Sequence, residues 1–393
     1  MKFESKTVHV GDRKKAGNFI PVTTPIYTAS SYAYDSMEQL DRIFAREEPG
    51  PSYARYDNPT VSALQDLVNE LEGGHATLAC SSGMMALHLS VLAALVDRPK
   101  RVVAGHVLYG ATTHMLMTVF GALGVETTFA DASDLPAFAA AIKETKPGAV
   151  LIESITNPLL RVCALDKIAA AAREANAPLI VDNTFATPML MRPLERGASI
   201  VIHSATKYLA GHGDVLGGVI VSDADNYEVL TSLLRTIGPN LGPFEAYLTM
   251  RGIKTLALRM EKQCANACKL ASWLATHPRV AKVHFPGDPA HPDAANIKRL
   301  LPPDLYGAMV AFELKDAARA EVFALMEKLK MIVCATSLGD VHTMMLYPAM
   351  ASHRDLSPKH RERLGIGENL LRISTGIEAI DDIIADLDQA LST

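Results

Sequence analysis

The strongest constraint on this chain is an alternation that begins near Val61. Short apolar, β-branched runs are separated by stretches with apolar residues at helical spacing. The strand-like runs are Arg101–Ala104, Ala149–Ile152, Leu179–Val181, Ile200–Ile202 and Gly217–Val221. A helical pattern over Val61–Leu71 stops at Gly73-Gly74, and another covers Leu165–Asn176. Runs apolar at successive positions must be covered on both faces, and the intervening helices supply that cover. The alternation predicts an α/β unit with a mainly parallel sheet.

The pattern changes on either side of that unit. Residues 1–60 are Pro-punctuated (Pro21, Pro25, Pro51, Pro59), show little periodicity and carry Tyr27, Tyr32, Tyr34, Tyr53 and Tyr56. Such a segment folds only by lying on something else, so it is expected to be an arm on its own domain or on a neighbouring subunit. After Arg251-Gly252, a long helical pattern runs from Lys254 to about Thr276. Strand-like Met309–Leu314, Ile332–Ala335 and Leu370–Ser374 then alternate with helical Ala317–Lys330 and Ala379–Leu391. This predicts a smaller C-terminal α+β domain, giving an arm at 1–60, an α/β domain at 61–251 and the α+β domain at 252–393. A length of 393 residues fits more than one core.

Composition excludes several function classes. Lys+Arg total 38 against 43 Asp+Glu, a net charge of −5, which leaves no footprint for nucleic acid or anionic lipid. The longest apolar stretch, Met84–Val96, is interrupted by His88 and Ser90 and falls short of the ~18 residues of a membrane span. The start of the sequence lacks the apolar core of a secretory signal. Five cysteines without a C-x-x-C pair argue for reduced thiols and a cytoplasmic location rather than a disulfide framework or zinc site. No P-loop, H-E-x-x-H helix or G-x-S-x-G elbow is present.

Chemistry concentrates at the ends of the predicted strands. Lys207, in Ser204-Ala205-Thr206-Lys207-Tyr208, follows an apolar strand, where open α/β sheets bind ligands. Taken alone it is an ordinary solvated lysine, but Ser204 and Thr206 flank it with hydroxyls suited to a phosphate. Asp182 ends the strand at Leu179–Val181. It either caps the following turn or pairs with a buried cation, such as the protonated ring nitrogen of pyridoxal phosphate (PLP). Ser82-Gly83-Met84 precedes a helix; it reads as a simple N-cap or as an anion cradle formed by the amides of Gly83 and Met84. A covalent lysine, an acid for the ring and a phosphate cradle together describe PLP.

An ordered set of motifs then resembles the Cys/Met-metabolism PLP enzymes over nearly the whole chain. The set comprises Tyr53-Ala54-Arg55, Asn58-Pro59-Thr60, Leu71-Glu72-Gly73-Gly74, Ser82-Gly83-Met84, Leu108-Tyr109-Gly110, Glu153 with Asn157-Pro158, and Val181-Asp182-Asn183-Thr184. It continues through Ser204–Tyr208 with Gly211-His212, Arg251-Gly252 with Lys254-Thr255-Leu256, Ser337-Leu338-Gly339, and Arg372 with Ser374 and Gly376. The resemblance is closest to the methionine γ-lyase and cystathionine γ-lyase members. It implies PLP fold type I, aspartate-aminotransferase-like, with a seven-stranded, mainly parallel sheet in the large domain.

By the same resemblance Lys207 would carry PLP and move protons, and Asp182 would pair with the ring nitrogen. Gly83, Met84, Ser204 and Thr206 would bind the phosphate. Tyr53 and Arg55 would reach the phosphate of a neighbouring subunit, in a homotetramer built as a dimer of dimers with shared active sites. Tyr109 would stack on the ring and serve the leaving group. Asn157 would lie by the ring hydroxyl, and Arg372 with Ser337 would clamp the substrate carboxylate. The implied reaction is α,γ-elimination from methionine or cystathionine to a 2-oxo acid, ammonia and a thiol, with γ-replacement as the alternative. Two features depart from the methionine γ-lyase pattern: Ala111 replaces Cys after Leu-Tyr-Gly, and a Lys-Asp pair is absent near Leu234-Arg235; His342 further stands where lyases of this family often have Glu.

Overall fold

In a computed structural model, which describes residues 1–15, 18–354 and 357–392, the first sixty residues hold two short helices, α1 (Phe3–His9) and α2 (Met37–Phe44). The sequence reading treats this segment as irregular. The first helix forms because Phe3 and Val10 dock on a core built by later residues. The second is capped by Ser36, whose hydroxyl accepts the Gln39 N–H at 3.3 Å. Asp12 is tied to both Thr24 (2.8 Å from its N–H) and Lys254, which pins the arm to the body. Helix α3 (Pro59–Glu72) begins where Asn58 Oδ1 accepts the Thr60 and Val61 N–H groups at 3.0 and 3.3 Å, with Pro59 pre-set for the first turn.

Among the described residues seven strands form one sheet, in the order β1-β7-β6-β5-β4-β2-β3. They are β1 (Ala76–Cys80), β2 (Arg101–Gly105), β3 (Glu126–Ala130), β4 (Ala149–Glu153), β5 (Leu179–Asp182), β6 (Ile200–Ser204) and β7 (Gly218–Ser222). Only β7 runs against the rest. Val103, Val150, Val181, Val201 and Val221 face one buried layer, while Val102, Leu151, Ile180, Ile200 and Ile220 face the other. Each such residue contributes about 1.5–3 kcal/mol by leaving water, and two-sided burial explains the unbroken apolar runs. The fold is α/β with a mainly parallel large sheet.

A second sheet contains β8 (Val280–His284), β9 (Met309–Leu314), β10 (Val333–Cys334), β11 (Met344–Leu346) and β12 (Leu370–Ser374), in the order β10-β11-β12-β9-β8. It is antiparallel except for β10 with β11. The 21-residue helix Leu256–Thr276 joins the two cores. Its Leu256, Met260 and Cys264 pack in the large core, and its Leu270, Ala271 and Leu274 pack in the small one. Arg251 and Gly252 lie within the preceding helix, Pro243–Ile253.

Candidate active site

The parallel strands deliver their last residues to one edge of the large sheet. Asp182 ends β5, Glu153 ends β4, and Lys207 follows β6 by three residues. Because β7 is antiparallel, its first residue arrives at that same edge, where Gly218 faces Ser204 of β6 and Cys80 of β1. A single cavity at this edge is lined by Ser82, Gly83, Met84, Tyr109, Glu153, Asn157, Asp182, Ser204, Thr206, Lys207 and Arg372. Arg372 reaches it from β12 of the second sheet, so the site lies between the two units.

One end of the cavity is formed at the start of α4 (Gly83–Ala94). Ser82 caps this helix, its hydroxyl accepting the Met85 N–H at 3.1 Å, so the cap reading holds. It leaves the amides of Gly83 and Met84 at the helix start beside the hydroxyl residues Ser204 and Thr206, so the anion reading is compatible with it. A Cβ at position 83 would stand 2.7 Å from that of Ser204, so only glycine allows this approach.

Asp182 also serves both of its expected uses. Its Oδ1 accepts the Thr184 N–H at 3.0 Å, capping the turn, and the side chain still lines the cavity. Burial pushes its pKa up, against the Thr184 hydrogen bonds and the charge of His203. Behind it the strand ends are locked by buried Glu72, whose Oε1 meets His203 Nε2 at 2.6 Å and accepts from Asn183 Nδ2 at 3.0 Å. Among the described residues no cation forms a salt bridge with Asp182 or Glu153. A protonated ring nitrogen fits that deficit.

Lys207 Nζ donates to Ser337 Oγ at 3.0 Å. Burial, and then the charge of Arg372, lowers its pKa to about 8. Arg372 is 3% exposed and stays cationic, lowered by burial to about 10. Its Nη1 donates to Asn157 Oδ1 at 2.6 Å, and its Nε is buried without a partner. A buried guanidinium with an unused donor is prepared for a carboxylate. Ser337 is therefore near the lysine, and Asn157 is bonded to the arginine.

Three predicted residues do not line this cavity: Ser337, which meets it only through its bond to Lys207, and Tyr53 and Arg55. Tyr53 is 44% exposed, and Arg55 donates to the Arg235 carbonyl with its guanidinium 4.7 Å from the Tyr56 ring centre. Neither lines the pocket of its own chain. The sequence reading gave Glu153 no role, although the structure puts it in the cavity wall next to Asp182; its place at the end of an apolar run was the available signal. Phe185, 5.9 Å from the Arg372 guanidinium, was missed as well.

The lowered pKa of Lys207 makes a kinetic prediction. Only the neutral amine attacks an aldehyde. The rate at which apoenzyme takes up PLP, followed by the visible band, should rise nearly tenfold per pH unit below about 8 and level off above it. An ordinary lysine would keep the rate climbing beyond pH 10.

Known proteins of one family resemble this chain over nearly its whole length. The chain is 41% identical to an L-methionine gamma-lyase of Treponema denticola over 394 residues, 99% of this chain and 96% of that protein. The crystal structure of a cystathionine gamma synthase from Xanthomonas oryzae pv. oryzae superposes with a TM-score of 0.92 at 35% identity, covering 100% of this chain and 98% of that one. A cystathionine gamma-lyase from Lactobacillus plantarum, complexed with L-serine, gives 0.91 at 36%, covering 100% and 99%. The family model for Cys/Met metabolism PLP-dependent enzymes matches residues 4–392. With Lys207, Asp182 and the helix start at Gly83 lining one cavity, the chain belongs to that family and uses PLP as its cofactor.

Proposed function

We propose that this protein is a carbon–sulfur lyase that eliminates the γ-substituent of a sulfur amino acid, methionine or cystathionine, to give a 2-oxo acid, ammonia and a thiol. The observation that carries the reading is a pair of side chains in one cavity. Lys207, an amine of lowered basicity, lines the same cavity as Arg372, a buried cation with an unused donor. Bound PLP supplies an electron sink for the carbanion formed at the substrate's α-carbon.

The chain's own groups do the rest. Arg372 fixes the substrate carboxylate, which aims the α-hydrogen at Lys207 Nζ. Lys207 Nζ takes that proton, would hand it on to the bound cofactor, and, neutral again, takes one from the β-carbon; a pKa of about 8 suits it to both removal and return. Asp182 holds the proton on the ring nitrogen. Tyr109, beside the departing sulfur, delivers a proton to it.

The test is a panel of methionine, cystathionine and O-acylhomoserines, with separate assays for 2-oxo acid, thiol and hydrogen sulfide. Release of 2-oxobutanoate from methionine or cystathionine is expected. Product formation only from O-acylhomoserine plus cysteine or sulfide would favour γ-replacement, a reading supported by the likeness to a cystathionine gamma synthase.

Tyr53 and Arg55 serve, in this reading, the phosphate of a neighbouring subunit within a homotetramer of two tight dimers. The exposure of Tyr53 and the absence of both residues from the lining of their own cavity support it. Arg55→Ala should weaken PLP binding about 10–100-fold, the worth of one charge-assisted bond, as read by dialysis against cofactor. Unchanged affinity would remove the shared site. The arm at 1–60, the cofactor domain at 61–251 and the C-terminal domain at 252–393 complete the reading. A cytoplasmic location is supported by the five free cysteines. Among the described residues no helix is long and apolar enough to cross a membrane.

A further inference from the structure

Glu153 is a buried carboxyl that none of the steps above employs. It is 7% exposed, ends β4, and is paired in register with Asp182 on β5. Its two oxygens have separate partners: Oε1 accepts the Tyr109 N–H at 2.6 Å, and Oε2 accepts the Asn157 N–H at 3.1 Å. Tyr109 belongs to the loop after β2, and Asn157 to the loop after β4. Asn157 in turn receives Arg372 Nη1 at 2.6 Å. One side chain thus joins the loop at the leaving-group end of the cavity to the loop that steadies the carboxylate clamp.

Placing a carboxyl here is costly. Burial, and then the charge of Asp182 alongside, pushes it up to about 8, against the two backbone hydrogen bonds and the charge of Arg372. No cation is bonded to it among the described residues, so ion pairing does not explain its presence. A glutamine would fill the same space without the desolvation cost. What it would lack is a second acceptor, because a carboxamide places an NH2 against one of two N–H groups that both donate. The site calls for two acceptors on one rigid stem.

We propose that Glu153 is a positioning residue that bridges the backbone of Tyr109 to that of Asn157, setting the span between the leaving-group end and the Arg372 clamp. The proposal rests on the roles given above to Tyr109 and Arg372. A stripped bridge loosens both loops while leaving Lys207, Asp182 and the phosphate cradle in place.

Glu153→Gln and Glu153→Asp test it, the second because its stem is one carbon too short to meet both N–H groups. Hydrogen exchange of the holoenzymes, followed by mass, should speed up in peptides containing Tyr109 and Asn157 and stay unchanged in those containing Lys207 and Gly83. The dissociation constant for glycine, which carries a carboxylate but no group to eliminate, should rise about tenfold when read from the PLP visible band, with kcat per bound PLP falling as well. A purely structural role would instead lower the unfolding temperature, quicken exchange throughout the chain and leave the glycine constant alone. That result, or wild-type exchange at both loops in both variants, overturns the proposal. Should the wild-type enzyme eliminate none of the sulfur amino acids, the lyase reading falls, and the exchange and glycine measurements still judge Glu153.

Discussion

Lys207→Ala should lower turnover of any accepted sulfur amino acid by at least about 10³–10⁴-fold, the typical reach of a positioned acid–base group. The loss is expected to be this large because the proposed mechanism gives one amine several tasks: holding the cofactor, accepting the α-proton and, after passing that on, taking a second from the β-carbon. The cavity that lowers its pKa to about 8 also places it 3.0 Å from Ser337 Oγ. Borohydride reduction of the wild-type holoenzyme should fix PLP to the peptide containing Lys207, and the variant should yield no such peptide. Added ethylamine restoring part of the rate would show that an amine at this place, rather than the fold, had been lost. Undiminished activity in the variant would end the mechanism.

Arg372→Leu should raise KM by roughly 10²–10⁴-fold, with a smaller effect on kcat. A guanidinium presents two donors to a carboxylate, and each charge-assisted bond is worth about 1.5–3 kcal/mol. In the free enzyme one nitrogen is held by Asn157 Oδ1 and the Nε is buried without a partner, so the arginine waits with capacity to spare. Arg372→Lys keeps the charge but loses the planar fork, and should recover only part of the affinity. Both variants should keep PLP and its visible band, because the proposed mechanism assigns Arg372 to the substrate and not to the cofactor. A KM within threefold of wild type in Arg372→Leu would remove the clamp.

The strands buried on both faces were legible in the sequence to within one or two residues, because a run such as Ile200–Ile202 has no other stable use. Two members of the large sheet were not legible from periodicity. β3, Glu-Thr-Thr-Phe-Ala, is an edge strand with partly exposed positions, and β1 is short and built from small residues. Their place depends on partners far along the chain, which no local pattern encodes. The same reason separates the site residues. Lys207 and Asp182 stand at the ends of recognisable strands, so chemistry could be read there from residue type and place. Glu153 stands at the end of an equally clear strand, but its meaning needs the register with Asp182 and the return of two loops. Arg372, within Leu-Leu-Arg-Ile-Ser, reads as one polar residue in an apolar strand; only the packing of the second sheet against the first turns it toward the cavity.

The 21-residue helix shared by the two cores has a consequence for selectivity. The amine stands on one unit and the guanidinium on the other, like the jaws of a caliper, and this rod holds the gauge between them. Small adjustments along the rod, remote from any reacting atom, would change which amino acids fit across the gap. Preference among related compounds could then drift through the frame while the jaws themselves stay the same.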